Sequence, residues 1–283
     1  MVRIAAVQLY TELNDINYNW KKIEEYLERA HQKQVELIVF PEYFLGDPKV
    51  MIEDPLPRLI ELAKKYQIDI VTGSYEIKKD DKKYNCTNYI DKDGQVLLHY
   101  RKVHLWHPER PDYTPGDQFY TVQTRFGFTV GVCICWDIGF SDGFIEMVLN
   151  QGAQLICAPA LWTIEDAGEM RLKHDLNCEA KFIDYTCSGR SFEFEVVMVY
   201  VNGAATPLSP PSSDKEKDDD EVKPGPLGTM VGHTQITVPF KGPLSKCDHY
   251  YEEMLIEDVD VINITKDAEQ AYKVRDDWNK KKN

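Results

Sequence analysis

Apolar and polar positions along the first two-thirds of the chain alternate between short solid runs and stripes of helical period. Val2–Gln8 and residues 36–40 are apolar runs of the kind that form buried strands. The segment from about 17 to 34 between them sets Ile23, Leu27 and Ala30 on one helical face. The pattern repeats, with 57–66 predicted as a helix and 68–76 as a strand. Residues 86–90 and 95–101 flank Asp91-Lys92-Asp93-Gly94, a hairpin turn with glycine where positive φ is wanted. Further on, 128–134 predicts a strand, 143–151 a helix and Leu155–Pro159 a buried strand. Residues 170–187 carry Leu172, Leu176, Ala180, Ile183 and Cys187 on one stripe, which predicts a long core-facing helix. Strands at 196–201, 235–240 and 254–261 complete the reading.

These elements describe a mixed α/β fold, with either two sheets or one large mixed sheet, and with no internal repeat. Residues 207–226 break the pattern. They are rich in proline and hold six acids in the run 214–221. Such a composition cannot bury a core, so it is expected to form a mobile surface loop within a single domain spanning 1–283. An acidic docking tail is the competing reading.

Composition narrows the function. The chain is 43% apolar and 28% charged, ordinary for a globular protein that needs no metal or disulfide staple. A net charge of −14 argues against nucleic acid and anionic lipid as partners. Seven cysteines without regular spacing do not read as a disulfide framework. No apolar run reaches the ~18–20 residues of a membrane helix. Nothing resembling a secretory leader stands ahead of the first strand, so a reducing, cytoplasmic location is expected. Asn85-Cys86-Thr87 and Asn263-Ile264-Thr265 are then chance matches to a glycosylation triplet.

Reactive side chains stand at three strand ends, where sites on α/β sheets gather. The run at 36–40 leads into Pro41-Glu42. Burial there would raise the carboxyl pKa and suit a general base, whereas a strand-end acid facing solvent would do nothing. His99-Tyr100-Arg101-Lys102-Val103-His104 follows the hairpin, and Lys102 is either a solvated charge or a fixed cation beside a developing oxyanion. Gly131-Val132-Cys133-Ile134-Cys135-Trp136-Asp137 carries a strand into a turn. Cys135 is there either a buried structural thiol or a nucleophile whose pKa an adjacent cation lowers.

Taken together and in order, these motifs resemble the nitrilase superfamily of carbon–nitrogen hydrolases. Phe40-Pro41-Glu42, Tyr100-Arg101-Lys102-Val103-His104-Leu105, and Thr114-Pro115-Gly116 with the run ending Cys135-Trp136-Asp137 carry the resemblance. Gly152-Ala153-Gln154, Ala158-Pro159-Ala160 and Gly232-His233-Thr234 add to it. Leu105-Trp106-His107-Pro108-Glu109-Arg110 and the ending around Tyr272-Lys273-Val274-Arg275 place it nearest fungal amidase-like members. The resemblance implies a four-layer αββα sandwich and a Glu42–Lys102–Cys135 triad. It also implies a second, substrate-positioning glutamate at Glu109, and association into a homodimer or higher homo-oligomer through 170–187 and the C-terminal segment. Two departures stand out: Ser141-Asp142-Gly143 replaces the usual Pro-Glu, and Phe194 replaces an asparagine.

The expected chemistry is hydrolysis of a small amide through a Cys135 thioester, with no metal or cofactor. Hydrolysis of N-carbamoyl amines or nitriles is the alternative, although Cys135-Trp136-Asp137 resembles the amidase branches. A pocket lined by Trp136, Tyr43, Trp106, Trp162 and the loop after Phe140 is expected, and Trp162 could equally be core. Arg110 and Arg171 are weak candidates for an acidic substrate's partner. Two other classes compete: a metal or redox site on Cys133 and Cys135, which lacks a second ligand pair, and a catalytically silent interaction protein on the same fold.

Overall fold

A computed structural model of the protein describes residues 1–50, 53–208 and 228–282. Nearly all of the acidic stretch expected at 207–226 lies outside the described residues. The first half of the chain forms β1 (Val2–Gln8), α1 (Ile16–Gln32), β2 (Leu37–Val39), α2 (Leu56–Tyr66), β3 (Asp69–Val71), β4 (Tyr75–Lys79), β5 (Lys82–Ile90) and β6 (Val96–Arg101). Then come β7 (Thr121–Gln123), β8 (Thr129–Val132), α3 (Ser141–Phe144), β9 (Leu155–Pro159), α4 (Glu169–His174), α5 (Cys178–Glu193) and β10 (Val197–Val201). The rest is β11 (Gln235–Val238), β12 (Gly242–Lys246), β13 (Glu253–Val259), α6 (Val261–Tyr272) and α7 (Val274–Lys282).

The strands make two sheets. One runs β13-β1-β2-β3-β5-β4, with β6 also paired to β5; the other runs β12-β11-β10-β9-β8-β7. Each has three parallel strands at its centre, β1-β2-β3 and β8-β9-β10, and antiparallel strands outside them. The alternation along β1 explains the stacking. Val2, Ile4 and Ala6 enter the large core with Val130, Val132 and Val199 of the second sheet. Ala5, Val7 and Leu9 face the other way, against Ile23, Leu27 and Leu59 of α1 and α2. A strand buried on both faces must be apolar throughout, hence its unbroken run. Ile183 and Cys187 of α5 join the large core from the second sheet. The architecture is therefore the α/β four-layer sandwich expected.

Three elements differ from the sequence reading. The strand expected over 68–76 is two strands, β3 and β4, separated at Gly73. There φ is +65°, and a Cβ would stand 2.3 Å from the Pro41 carbonyl oxygen. The helix expected over 143–151 starts as α3 and continues in wider π-type turns over Ile145–Asn150. The long helix expected over 170–187 is α4 and α5, broken where Asp175 is extended. Leu172 and Leu176 are 66% and 60% exposed, so the apolar stripe does not all face the core. Met170 and Tyr185, on the same segment expected to meet a second copy, are also exposed, at 53% and 73%.

Candidate active site

The chain leaving β2, β6, β8 and β9 lines one cavity of about 290 Å³. The expected catalytic and wall residues Glu42, Tyr43, Lys102, Trp106, Glu109, Cys135, Trp136 and Trp162 all line it, whereas the loop after Phe140, also expected in the wall, does not. Pro108, Leu161, Thr163 and Asp166 complete the wall. A wider groove of about 690 Å³ lies along α1, where Arg58 pairs with Glu24 at 2.7 Å and Lys21 with Glu25 at 3.9 Å, and among the described residues its lining includes no cysteine, serine or threonine.

Glu42 reaches the cavity from the first sheet and is 3% exposed. Its Oε1 accepts from the Lys102 ammonium at 3.0 Å and the Asn85 amide at 2.7 Å, and its Oε2 accepts from the Leu161 N–H at 2.8 Å. Burial pushes this carboxyl above its ordinary value, Lys102 opposes the shift, and Glu109 adds to it. Lys102 is 2% exposed and also donates to Glu109 Oε2 at 2.7 Å. Burial alone would drag the ammonium down, but Glu42, Cys135 and Glu109 outweigh it and hold the pKa raised. Lys102 is thus a permanent cation between two carboxylates. Glu109 is fixed by the Trp106 N–H at 2.8 Å, the Tyr43 hydroxyl at 3.2 Å and Asn85 at 3.1 Å.

Cys135 follows β8 with φ at +48°, a conformation costly to a residue with a Cβ. Tyr43, next to Glu42, is similar at +51°. The Cys135 thiol donates to the Leu161 carbonyl at 3.6 Å, so one peptide segment touches both the sulfur and the Glu42 carboxylate. The sequence reading had an adjacent cation lowering this thiol's pKa. Instead, burial and the Glu42 charge push it well up, and Lys102 offsets only part of that. The sulfur rests as a thiol and has to be deprotonated in use.

Sequence reasoning missed the residues that hold this arrangement. Asn85, dismissed as part of a glycosylation triplet, is 1% exposed and turns its amide N–H groups on two carboxylates. Its backbone carbonyl accepts the Lys102 N–H at 2.9 Å, which registers the lysine against β5. Asp137, read only as part of the cysteine motif, accepts from the Ile134 N–H at 2.8 Å, the Tyr100 hydroxyl at 2.7 Å and the His104 N–H at 2.8 Å. It therefore ties the lysine segment to the cysteine turn. Asp142 pairs with His104 at 3.2 Å, and Phe194 stacks on Phe144 at 5.5 Å, so both departures from the family pattern are structurally occupied. Gly116 sits so close to Arg101 that a Cβ would stand 2.2 Å from its carbonyl oxygen, and its N–H donates to Lys102 O at 2.8 Å. Asn202 fixes the Trp162 backbone through bonds of 2.8 and 3.0 Å.

Trp162 is buried and donates to Glu179 at 2.5 Å while still lining the cavity, so it is both core and wall. Trp136 lies 4.6 Å from Trp106 and 5.7 Å from Trp162, ring centre to ring centre. Arg110 lines a different cavity, and Arg171 lies on α4 outside the wall. Among the described residues, one cluster has metal-ligand chemistry: Cys247, His249 and Glu253. There the His249 Nδ1 lies 3.2 Å from the Tyr251 N–H, and its Nε2 faces Glu253 at 2.7 Å. Also among the described residues, no helix is long and apolar enough to cross a membrane.

The family model for carbon–nitrogen hydrolases matches residues 3–268. A probable nitrilase of Schizosaccharomyces pombe is 33% identical over 174 residues, covering 56% of this chain and 63% of that protein. An (R)-stereoselective amidase of a Pseudomonas species is 32% identical over 147 residues, covering 48% and 52%. The chain thus matches between half and two-thirds of the length of these relatives. Among solved structures, Nit3 of Saccharomyces cerevisiae superposes with a TM-score of 0.75 at 22% identity, covering 96% of this chain and 94% of that one. An amidase of Nesterenkonia superposes at 0.71 with 19% identity, covering 92% and 93%.

Proposed function

Because the chain belongs to the carbon–nitrogen hydrolase family, we propose that it hydrolyses small amides through a thioester on Cys135. Glu42 takes the thiol proton as the sulfur attacks the carbonyl carbon. The Lys102 ammonium and the backbone N–H of Trp136 hold the developing oxyanion. Glu42 then passes its proton to the nitrogen, ammonia leaves, and a water deprotonated by Glu42 releases the acid and restores the thiol. Glu109 orients the amide nitrogen, and the rings of Tyr43, Trp106, Trp136 and Trp162 form the wall around the substrate.

The observation that carries this reading is the shared placement of base, cation and sulfur. Glu42 lies 3.0 Å from Lys102, and Leu161 contacts both Glu42 and Cys135. The resting thiol fits a mechanism in which proton removal accompanies attack. The Pseudomonas relative is named an amidase, which supports amides, while the Schizosaccharomyces pombe relative is named a probable nitrilase, which keeps nitriles in the test. Ammonia release across small amides, ureido compounds and nitriles tests the reading. Amides should be turned over fastest; turnover confined to nitriles contradicts it.

The site's electrostatics set the expected pH profile. Glu42 must be ionised to act, and its pKa is raised by burial and by Glu109. The acid limb of kcat/KM should therefore lie above the ordinary carboxylate range and rise with pH through it. Lys102, whose pKa is raised, should set no alkaline limb near neutrality. Glu109→Gln removes a like charge and should move the acid limb to lower pH. A limb that stays put or moves upward would rule out Glu42 as the titrating base.

A further inference from the structure

The cavity wall beyond the triad is acidic and aromatic, with no free cation among its described residues. Asp166 lines it beside Thr163 and the indoles of Trp106, Trp136 and Trp162. The Asp166 oxygens accept from the Thr163 N–H and hydroxyl, each at 2.9 Å, which leaves acceptor sites on both. The basic group that acts on Asp166 is His107, exposed, with its ring tilted against Trp106 at 4.5 Å, outside the wall. Lys102 is the wall's basic side chain, and both of its contacts are already carboxylates, at 3.0 and 2.7 Å. An anionic substrate tail would meet no counter-charge there. A neutral tail would leave a half-buried carboxylate unpaired.

We propose, resting on the amidase reading above, that the cavity selects short amides bearing an ammonium group remote from the scissile carbonyl. Asp166 acts as that group's counter-ion and the indole rings flank it. The ring faces attract cations, so aromatic and acidic walls act in the same direction. Burial raises the Asp166 pKa in the empty site, and a bound ammonium reverses that shift by pairing with it. The chain's net charge of −14 adds long-range attraction for a cation. The reaction is ordinary amide hydrolysis: water and the amide give the carboxylic acid and ammonia, and the distal amine is unchanged.

The test compares three amides of matched length: 4-aminobutanamide, pentanamide and succinamate, whose distal ends are cationic, neutral and anionic. At neutral pH, kcat/KM for 4-aminobutanamide should exceed that for pentanamide by at least about tenfold, with succinamate slowest. Asp166→Asn should bring the cationic-to-neutral ratio close to one, and added salt should lower it in the parent enzyme. A purely structural role for Asp166 would lower both rates and leave the ratio alone, which overturns the proposal. So does a parent enzyme that prefers pentanamide or succinamate. If none of the three is turned over, the amidase reading fails. The charge preference is then read from calorimetric binding of the same amides to Cys135→Ala, where equal affinities overturn it separately.

Discussion

Cys135→Ala should reduce ammonia release from any substrate amide by at least about 10⁴-fold while the protein remains folded and still binds the amide. The sulfur forms the covalent bond on which both half-reactions depend, and no other described cysteine lines the cavity. Cys133 is fully buried and sits before the turn, so it cannot substitute. Steady-state ammonia release, with circular dichroism as the folding control, reads the result. Turnover retained within tenfold would assign the chemistry to another group.

Lys102→Met should be nearly as severe for activity and worse for stability. It removes the cation from the oxyanion site, which by itself lowers kcat by about 10²–10³-fold. It also leaves the buried Glu42 and the partly buried Glu109 with no counter-ion, at a cost on the order of 3–5 kcal/mol. The sign of the pH effect follows from the same charges. Without the ammonium the already raised Glu42 pKa climbs further above its unfolded value, so the folded state binds an extra proton. The deficit should therefore be smaller at pH 5 than at pH 8. Adding Glu109→Gln should recover part of the stability and none of the activity. Urea unfolding at the two pH values, beside kinetics of both variants, separates these effects; a Lys102→Met protein as stable as its parent would show that the charges are not mutually dependent.

Glu42 and Cys135 stand at the ends of apolar runs, Lys102 follows a hairpin strand of mixed polarity, and the order of the three motifs, resembling one family, is what joined them; all three line one cavity. The partners that fix them were harder to see. Asn85 lies mid-strand, and it meets Lys102 because β5 and β6 pair in a register that sets Cys86 against Arg101. No local pattern encodes that pairing. Asp137 looked like part of a short motif, yet its bonds reach Tyr100 and His104, more than thirty residues upstream. The balance of forces on the Cys135 thiol was hidden for a related reason. A nearby lysine can be inferred from sequence, but the desolvation that outweighs it comes from packing by both sheets.

The helix break at Asp175 shows a different limit. Leu172 and Leu176 lead at four-residue steps into Ala180, with Ile183 three residues on, so periodicity alone joins them. In the fold only the later residues reach the core, while Leu172 and Leu176 face outward. An apolar stripe records that a surface is to be covered, without saying whether by the chain's own core or by something else.

The central claim is that a covalent bond forms between substrate and the sulfur of Cys135. Acid quenching during turnover of a small amide, followed by peptide mass spectrometry, measures it directly. The account predicts an added acyl mass on the peptide containing Cys135, absent from Glu42→Gln and Cys135→Ala proteins. Full turnover with that peptide unmodified, or with the acyl group on another cysteine, would contradict it.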